Sequence, residues 1–184
     1  MWIKYGRKIS QKFTLKYPKM VKTLILCAST IYYPPKTSDQ NLIVFNILKD
    51  LDLEQRVMFY FPLIYSRGFK KRLESDKEFF NEISKDMNFF SQLVEPPLYK
   101  DYINQNEALK NFDMRDSIKD IIQPTLILSG SKDKMSIPGE IQSMHEEIPN
   151  SKLEIIPGVG HAFNIEAPKE TNRIIWNFIQ EHLS

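Results

Sequence analysis

A chain of 184 residues, 42% hydrophobic and 26% charged, is long enough to bury one core with room for an inserted subdomain. A net charge of +2 with lysines spread along the sequence offers no dense basic patch, so nucleic acid is not an expected partner. Apolar runs of about half a dozen residues are far short of a membrane span. Met1-Trp2-Ile3-Lys4 opens with basic character but no apolar stretch follows, so no secretory leader is expected and the cytoplasm is the expected compartment.

The segment Arg7–Lys16, with Ile9 and Phe13 on one face, predicts a helix that ends at Tyr17-Pro18, because proline disfavours helix in the residue before it. Lys22-Thr23-Leu24-Ile25-Leu26-Cys27 predicts a near-continuous apolar strand, suited to a sheet covered on both faces. Cys27 is the single cysteine, expected as a small buried apolar residue with no disulfide to make. From Ile31 to about Arg115 glycine nearly vanishes and aromatic and charged residues dominate. Ser38 or Asp39 can cap a helix running to about Leu51. Ser75-Asp76-Lys77-Glu78 fits a capping box, opening a helix that carries Phe79, Phe80, Ile83 and Met87. Pro96-Pro97 is expected to break it, and Leu98–Phe112 predicts another helix. The aromatics Phe59, Tyr60, Phe61, Tyr65, Phe69, Phe79, Phe80, Phe89 and Phe90 either line an apolar pocket or pack this segment onto itself and the core, and packing is the expected reading for each.

Thr125-Leu126-Ile127-Leu128 and Leu153-Glu154-Ile155-Ile156 predict two short strands. Between them Ile141, Met144 and Ile148 fall at helical spacing from Pro138 onward. A strand, crossover helix and strand of this length predicts a parallel pair. The loop after the first strand carries Asp133 and the loop after the second carries His161, within Gly158-Val159-Gly160-His161. Loops at the carboxyl ends of parallel strands are where α/β proteins place their chemistry. A carboxylate that accepts from one imidazole nitrogen leaves the other free as a general base. Pro168–Ser184 predicts a last amphipathic helix with Ile174, Ile175, Phe178, Ile179 and Leu183 as its buried stripe and Trp176 partly buried against the sheet. His145 is placed on an exposed helix side and His182 at the surface. With Cys27 these histidines form no metal-ligand spacing, and no metal or cofactor is expected.

The combination Gly130-Ser131-Lys132-Asp133, followed 28 residues later by the Gly-x-Gly-His ending in His161, resembles the acid and histidine loops of the α/β-hydrolase family. Ala108-Leu109, Phe112-Asp113, Arg115-Asp116, Ile148-Pro149-Asn150-Ser151 and His161-Ala162-Phe163 with Glu166 and Pro168 support the likeness, as does Tyr17-Pro18 before Val21 and Leu24-Ile25-Leu26. The resemblance implies an α/β fold, here a partial α/β-hydrolase fold. Its core (1–30 and 117–184) is expected as a short parallel sheet with flanking helices, and a helical cap is inserted at 31–116. It also implies the chain order nucleophile, acid, histidine, with Asp133 and His161 as the catalytic acid and base.

In that register the last glycine of G-x-S-x-G falls on Gly6, the nucleophile on Lys4 and the first glycine on Trp2. No two of the six glycines stand four apart, so the sequence contains no G-x-S-x-G. Lys4 is a poor replacement, because an amine acylates to a stable amide. Ser29, Ser129 and Ser131 lie at strand ends as turn or cap residues rather than on a nucleophile-exposing turn. The expected function is therefore an ester, lactone or related acyl hydrolase with an incomplete triad, a truncated or split member of the family. Its substrate would be small and apolar, and the missing serine would come from an N-terminal hydrolase half or a partner chain. Two alternatives remain: a non-catalytic pseudoenzyme, or an interaction module that uses the bare edge of strand 22–27.

Overall fold

The structure, a computed structural model, describes residues 3–85, 99–136 and 138–183. Its centre is a three-stranded parallel sheet of β1 (Leu24–Cys27), β2 (Thr125–Gly130) and β3 (Ser151–Ile156), in the spatial order β1-β2-β3. Leu24 pairs with Thr125, and Thr125 with Ser151, so the strands start level; β2 and β3 also end level, at Gly130 and Ile156, whereas β1 stops earlier, with Cys27 opposite Leu128. β2 is buried at every position, as a central strand covered on both faces must be. β1 is covered less evenly, and Cys27 is not buried as expected. Leu24 and Leu26 are buried, whereas Ile25 and Cys27 are only half-buried, because β1 is the sheet edge.

Two layers of helix cover the sheet. On one side Ile141, Met144 and Ile148 of α7 (Pro138–Glu147) and its following turn join Leu24, Leu26, Ile127, Ile118 and Ile121 in one core. Leu15 of α1 (Ile3–Lys16) packs against it. On the other side Phe178 of α9 (Pro168–Leu183) meets Leu126, Leu128, Ile156 and Phe163 of the short α8 (Phe163–Glu166), with Ile174 and Ile175 beside it. Trp176 is 61% exposed rather than packed on the sheet. Residues 174, 175 and 178 take the inward face of α9, and helical periodicity turns 176 away from it. α1 begins four residues before the expected Arg7 and ends at Lys16, and a short 3₁₀ turn spans Pro18–Met20.

Between β1 and β2 lie α2 (Pro35–Leu48), α3 (Leu53–Ile64), α4 (Arg67–Ser75), α5 (Lys77–Lys85) and α6 (Tyr99–Lys110). The two ends of this segment are stitched together. Tyr32 bridges Asp113, Tyr33 N–H donates to the Phe112 carbonyl at 3.0 Å, and Met114 N–H to that of Ile31 at 2.8 Å. Two expected caps are displaced. α2 starts at Pro35, a residue whose fixed φ suits the first helical position, so Ser38 and Asp39 lie inside it. α5 is capped by Asp76, whose Oδ1 accepts from Phe79 N–H at 2.9 Å, while Ser75 is the last residue of α4. α3 has the capping box that the sequence reading missed, between Asp52 and Gln55. Among the aromatics, Tyr65, Phe69 and Phe79 are buried together with Phe61 packed on them, while Phe59 and Phe80 are exposed. The buried ones pack this segment on itself and against Ala162 and Ile165. Met87, Phe89, Phe90 and Pro96-Pro97 lie outside the described residues.

Candidate active site

Asp133 and His161 stand at the carboxyl ends of adjacent strands, and they meet. His161 Nδ1 lies 2.9 Å from Asp133 Oδ2 and 3.1 Å from Oδ1. The Asp133 side chain is fully buried, and that of His161 is 19% exposed. The two loops approach closely because Gly130 ends β2. A Cβ there would stand 2.3 Å from the Gly160 carbonyl oxygen and 2.4 Å from that of Val159. Only glycine permits that contact, which is steric rather than conformational. Gly158, by contrast, takes a positive φ of 80°, so it supplies the turn itself. Lys132 N–H to the Val159 carbonyl (2.9 Å) and Gly158 N–H to Ser131 Oγ (2.8 Å) lock the loops together.

Asp133 also builds its own loop, since Oδ1 accepts from Met135 N–H at 2.7 Å and Ser136 N–H at 3.0 Å. Burial is the largest single influence on this carboxyl and pushes its pKa up. The hydrogen bond and charge of His161, with the N–H groups of Ser136 and Met135, together outweigh it and hold the carboxyl below its ordinary value. A buried carboxylate accepting from Nδ1–H fixes the imidazole tautomer and leaves Nε2 as a proton acceptor. Such a pair can activate a hydroxyl or a water.

The serines near the strand ends are buried or bonded elsewhere. Ser29 is fully buried, and its Oγ accepts from Gln11 Nε2 at 2.8 Å. Ser129 is buried within β2, and Ser131 Oγ accepts from Gly158 N–H. Lys4 falls in the first turn of α1. His145, half-buried rather than exposed, pairs through Nδ1 with Ser151 Oγ at 2.8 Å. Exposed His182 bonds the Phe178 carbonyl. Among the described residues no group of three or more His, Cys, Asp or Glu is placed to hold a metal, and no helix is long and apolar enough to cross a membrane.

Three neighbours of the pair were not legible in advance. Arg7 Nη1 donates to the Cys27 carbonyl at 2.9 Å. Burial pulls its guanidinium pKa down, while Asp133 and Cys27 oppose that pull. Ser136 Oγ donates to the carbonyl of Ala28 at 2.9 Å, tying the acid loop to a residue held at φ 47°. Glu166 accepts from Gly160 N–H, next to His161, at 2.9 Å. The first two contacts join residues 20 and 108 apart in the chain, and no local pattern announces such a pairing. Only Glu166 carried a signal, through its place before Pro168 in the family-like phrase.

A family model described as the alpha/beta hydrolase fold matches residues 5–168. The pimeloyl-[acyl-carrier protein] methyl ester esterase of Wigglesworthia glossinidia brevipalpis is 28% identical over 179 residues, covering 96% of this chain and 67% of that protein. The 3-oxoadipate enol-lactonase 1 of Acinetobacter baylyi is 32% identical over 79 residues, 43% of this chain and 29% of that protein. Among solved structures, a thermophilic esterase from Thermogutta terrifontis superposes with a TM-score of 0.76 at 20% identity, over 96% of this chain and 62% of that one. The chain thus spans less than two thirds of the solved structure it matches. With the family model covering most of its length, the chain belongs to the alpha/beta hydrolase fold family.

Proposed function

We propose that this chain carries the acid–base part of an acyl hydrolase acting on carboxylic esters or lactones. Asp133 orients His161, and His161 Nε2 takes the proton from a serine hydroxyl and later from a water. The helical segment 31–116, closed at its stem by the Tyr32–Asp113 bridge, acts as a cap over the site. What carries the reading is the single contact of His161 Nδ1 with both oxygens of a fully buried carboxylate. The names of the esterase and enol-lactonase relatives support the substrate class. The sequence has no G-x-S-x-G, and Ser29 and Ser131 are already bonded elsewhere. The hydroxyl therefore comes from a segment or partner beyond these residues.

Two measurements test this. Proton NMR of the folded chain should show a strongly downfield Nδ1–H resonance that disappears in Asp133→Ala. Hydrolysis of p-nitrophenyl acetate by this chain should be no faster than by His161→Ala, and a clear His161-dependent rate would mean that a hydroxyl within these residues serves.

A second reading has its own observation. β1 ends the sheet order, and in the helix and turn that precede it in the chain Ile9 (65%), Met20 (71%), Phe13 and Tyr17 are exposed. An added strand could pair with this edge while its flanking chain covers that apolar stripe. Size-exclusion chromatography separates the cases: a defined complex with another protein supports docking, and a well-behaved monomer speaks against it.

A further inference from the structure

One carboxylate holds together two parts of the chain that are 100 residues apart. Glu166 Oε1 accepts from Ser66 N–H at 2.9 Å and from Gly160 N–H at 2.9 Å, and Oε2 accepts from the Ser66 hydroxyl at 2.5 Å. Ser66 in turn caps α4, its Oγ accepting from Phe69 N–H at 3.1 Å. On the other side of His161, Ala162 N–H donates to the Ile64 carbonyl at 3.2 Å. Both backbone neighbours of His161 are thus anchored to the corner between α3 and α4, one of them through Glu166. The fit is close. A Cβ on Gly160 would stand 2.6 Å from the Ile64 carbonyl oxygen and 2.9 Å from Glu166 Oε1.

We infer that Glu166 is a positioning residue, clasping the turn before His161 to the α3–α4 corner and so setting where the imidazole stands against Asp133. The inference rests on the acid–base reading of the Asp133–His161 pair and adds that the helical segment takes part in holding it. The carboxylate suits the task because it offers two oxygens to three donors, and charged acceptors make the stronger hydrogen bonds. It touches no reacting atom, so its effect reaches the site through the backbone of Gly160.

The test compares the full chain with Glu166→Ala, Glu166→Gln and Glu166→Asp by NMR, well below each thermal midpoint. In Glu166→Ala the Gly160 amide should exchange about tenfold faster or more, the loss expected for one charge-assisted hydrogen bond. The downfield Nδ1 proton of His161 should broaden or vanish, while the Leu128 amide in β2 keeps its protection. Glu166→Gln should restore both signals, since its Oε1 can accept from the two N–H groups and its Nε2 can donate to Ser66 Oγ. Glu166→Asp, one methylene short of spanning the gap, should behave like Ala and serves if the Ala variant does not fold. Wild-type Gly160 exchange and an unchanged imidazole proton in Ala or Asp would overturn the inference. So would a uniform loss of protection that includes Leu128, which marks a merely structural role. Should the wild-type chain show no Asp133-dependent proton, the acid–base reading falls, and the Gly160 amide still decides whether Glu166 holds the turn.

Discussion

Gly130→Ala is the sharpest probe of how the two loops are held. The new methyl would sit 2.3 Å and 2.4 Å from the Gly160 and Val159 carbonyl oxygens and 2.9 Å from the Val159 carbonyl carbon. All three are backbone atoms, so no rotamer can relieve the overlap. Restoring an ordinary van der Waals separation requires the 158–160 turn to retreat by roughly 1 Å. That movement strains the Lys132 to Val159 and Gly158 to Ser131 hydrogen bonds. Overpacking costs about 1–3 kcal/mol and one weakened hydrogen bond about 1 kcal/mol, so the expected loss is about 3 kcal/mol. For a chain of this size that lowers Tm by about 6–12 °C.

Urea unfolding followed by far-UV circular dichroism measures the stability, and the His161 Nδ1 proton reports the geometry. Both should suffer, because the same turn carries His161. Gly139→Ala is the control. Its Cβ meets nothing within 4 Å, and alanine in a helix should stabilise α7 by a few tenths of a kcal/mol. If Gly130→Ala stays within about 0.5 kcal/mol of wild type and keeps the imidazole signal, the close approach of β2 to the histidine loop is refuted.

Phe178→Ala, which empties the centre of the α9 face, should cost about 3–5 kcal/mol in urea unfolding. Trp176→Ala, at a 61% exposed position, should stay within about 0.5 kcal/mol. Asp76→Ala should lose about 1 kcal/mol as the cap of α5 goes, and Ser75→Ala should cost clearly less in the same assay. The Asp133 carboxyl is held below its ordinary value when folded, so its contribution is fully present above the unfolded value of about 3.9. It is lost as pH falls through the lower folded value. Urea midpoints measured from neutral pH down to pH 3 should therefore fall less steeply in Asp133→Asn than in wild type.

Much of the sheet was readable because apolar runs bounded by proline and glycine leave few choices. Pro124 and Gly130 bracket β2, and Ile141, Met144 and Ile148 mark the buried side of α7 as expected. The misses came where tertiary context decides. Ser75 and Asp76 are equally good caps in isolation, and the end of α4 selects between them. Ile25 and Cys27 are apolar enough for a covered strand, yet their burial depends on what lies beyond the β1 edge. That Asp133 and His161 meet was legible because each follows a strand within a recognisable turn. The clasp between Glu166 and Ser66 was not, since the two stand 100 residues apart in the chain.

Asp133 shapes its turn and bonds His161 with the same carboxylate. Oδ1 accepts the Met135 and Ser136 N–H groups that shape the loop, while Oδ2 makes the shorter contact with His161. An asparagine could keep the first set through its carbonyl oxygen, so a turn alone does not require the charge. A fully buried carboxylate is costly to desolvate, and burial does push this one toward protonation. The donors of the loop offset part of that cost, and the imidazole supplies the rest by its hydrogen bond and charge. A buried charge whose cost is met by a partly exposed titratable ring is more than local folding demands. It is what the proposed proton transfer through that ring requires, because the imidazolium must be stabilised at the moment it forms.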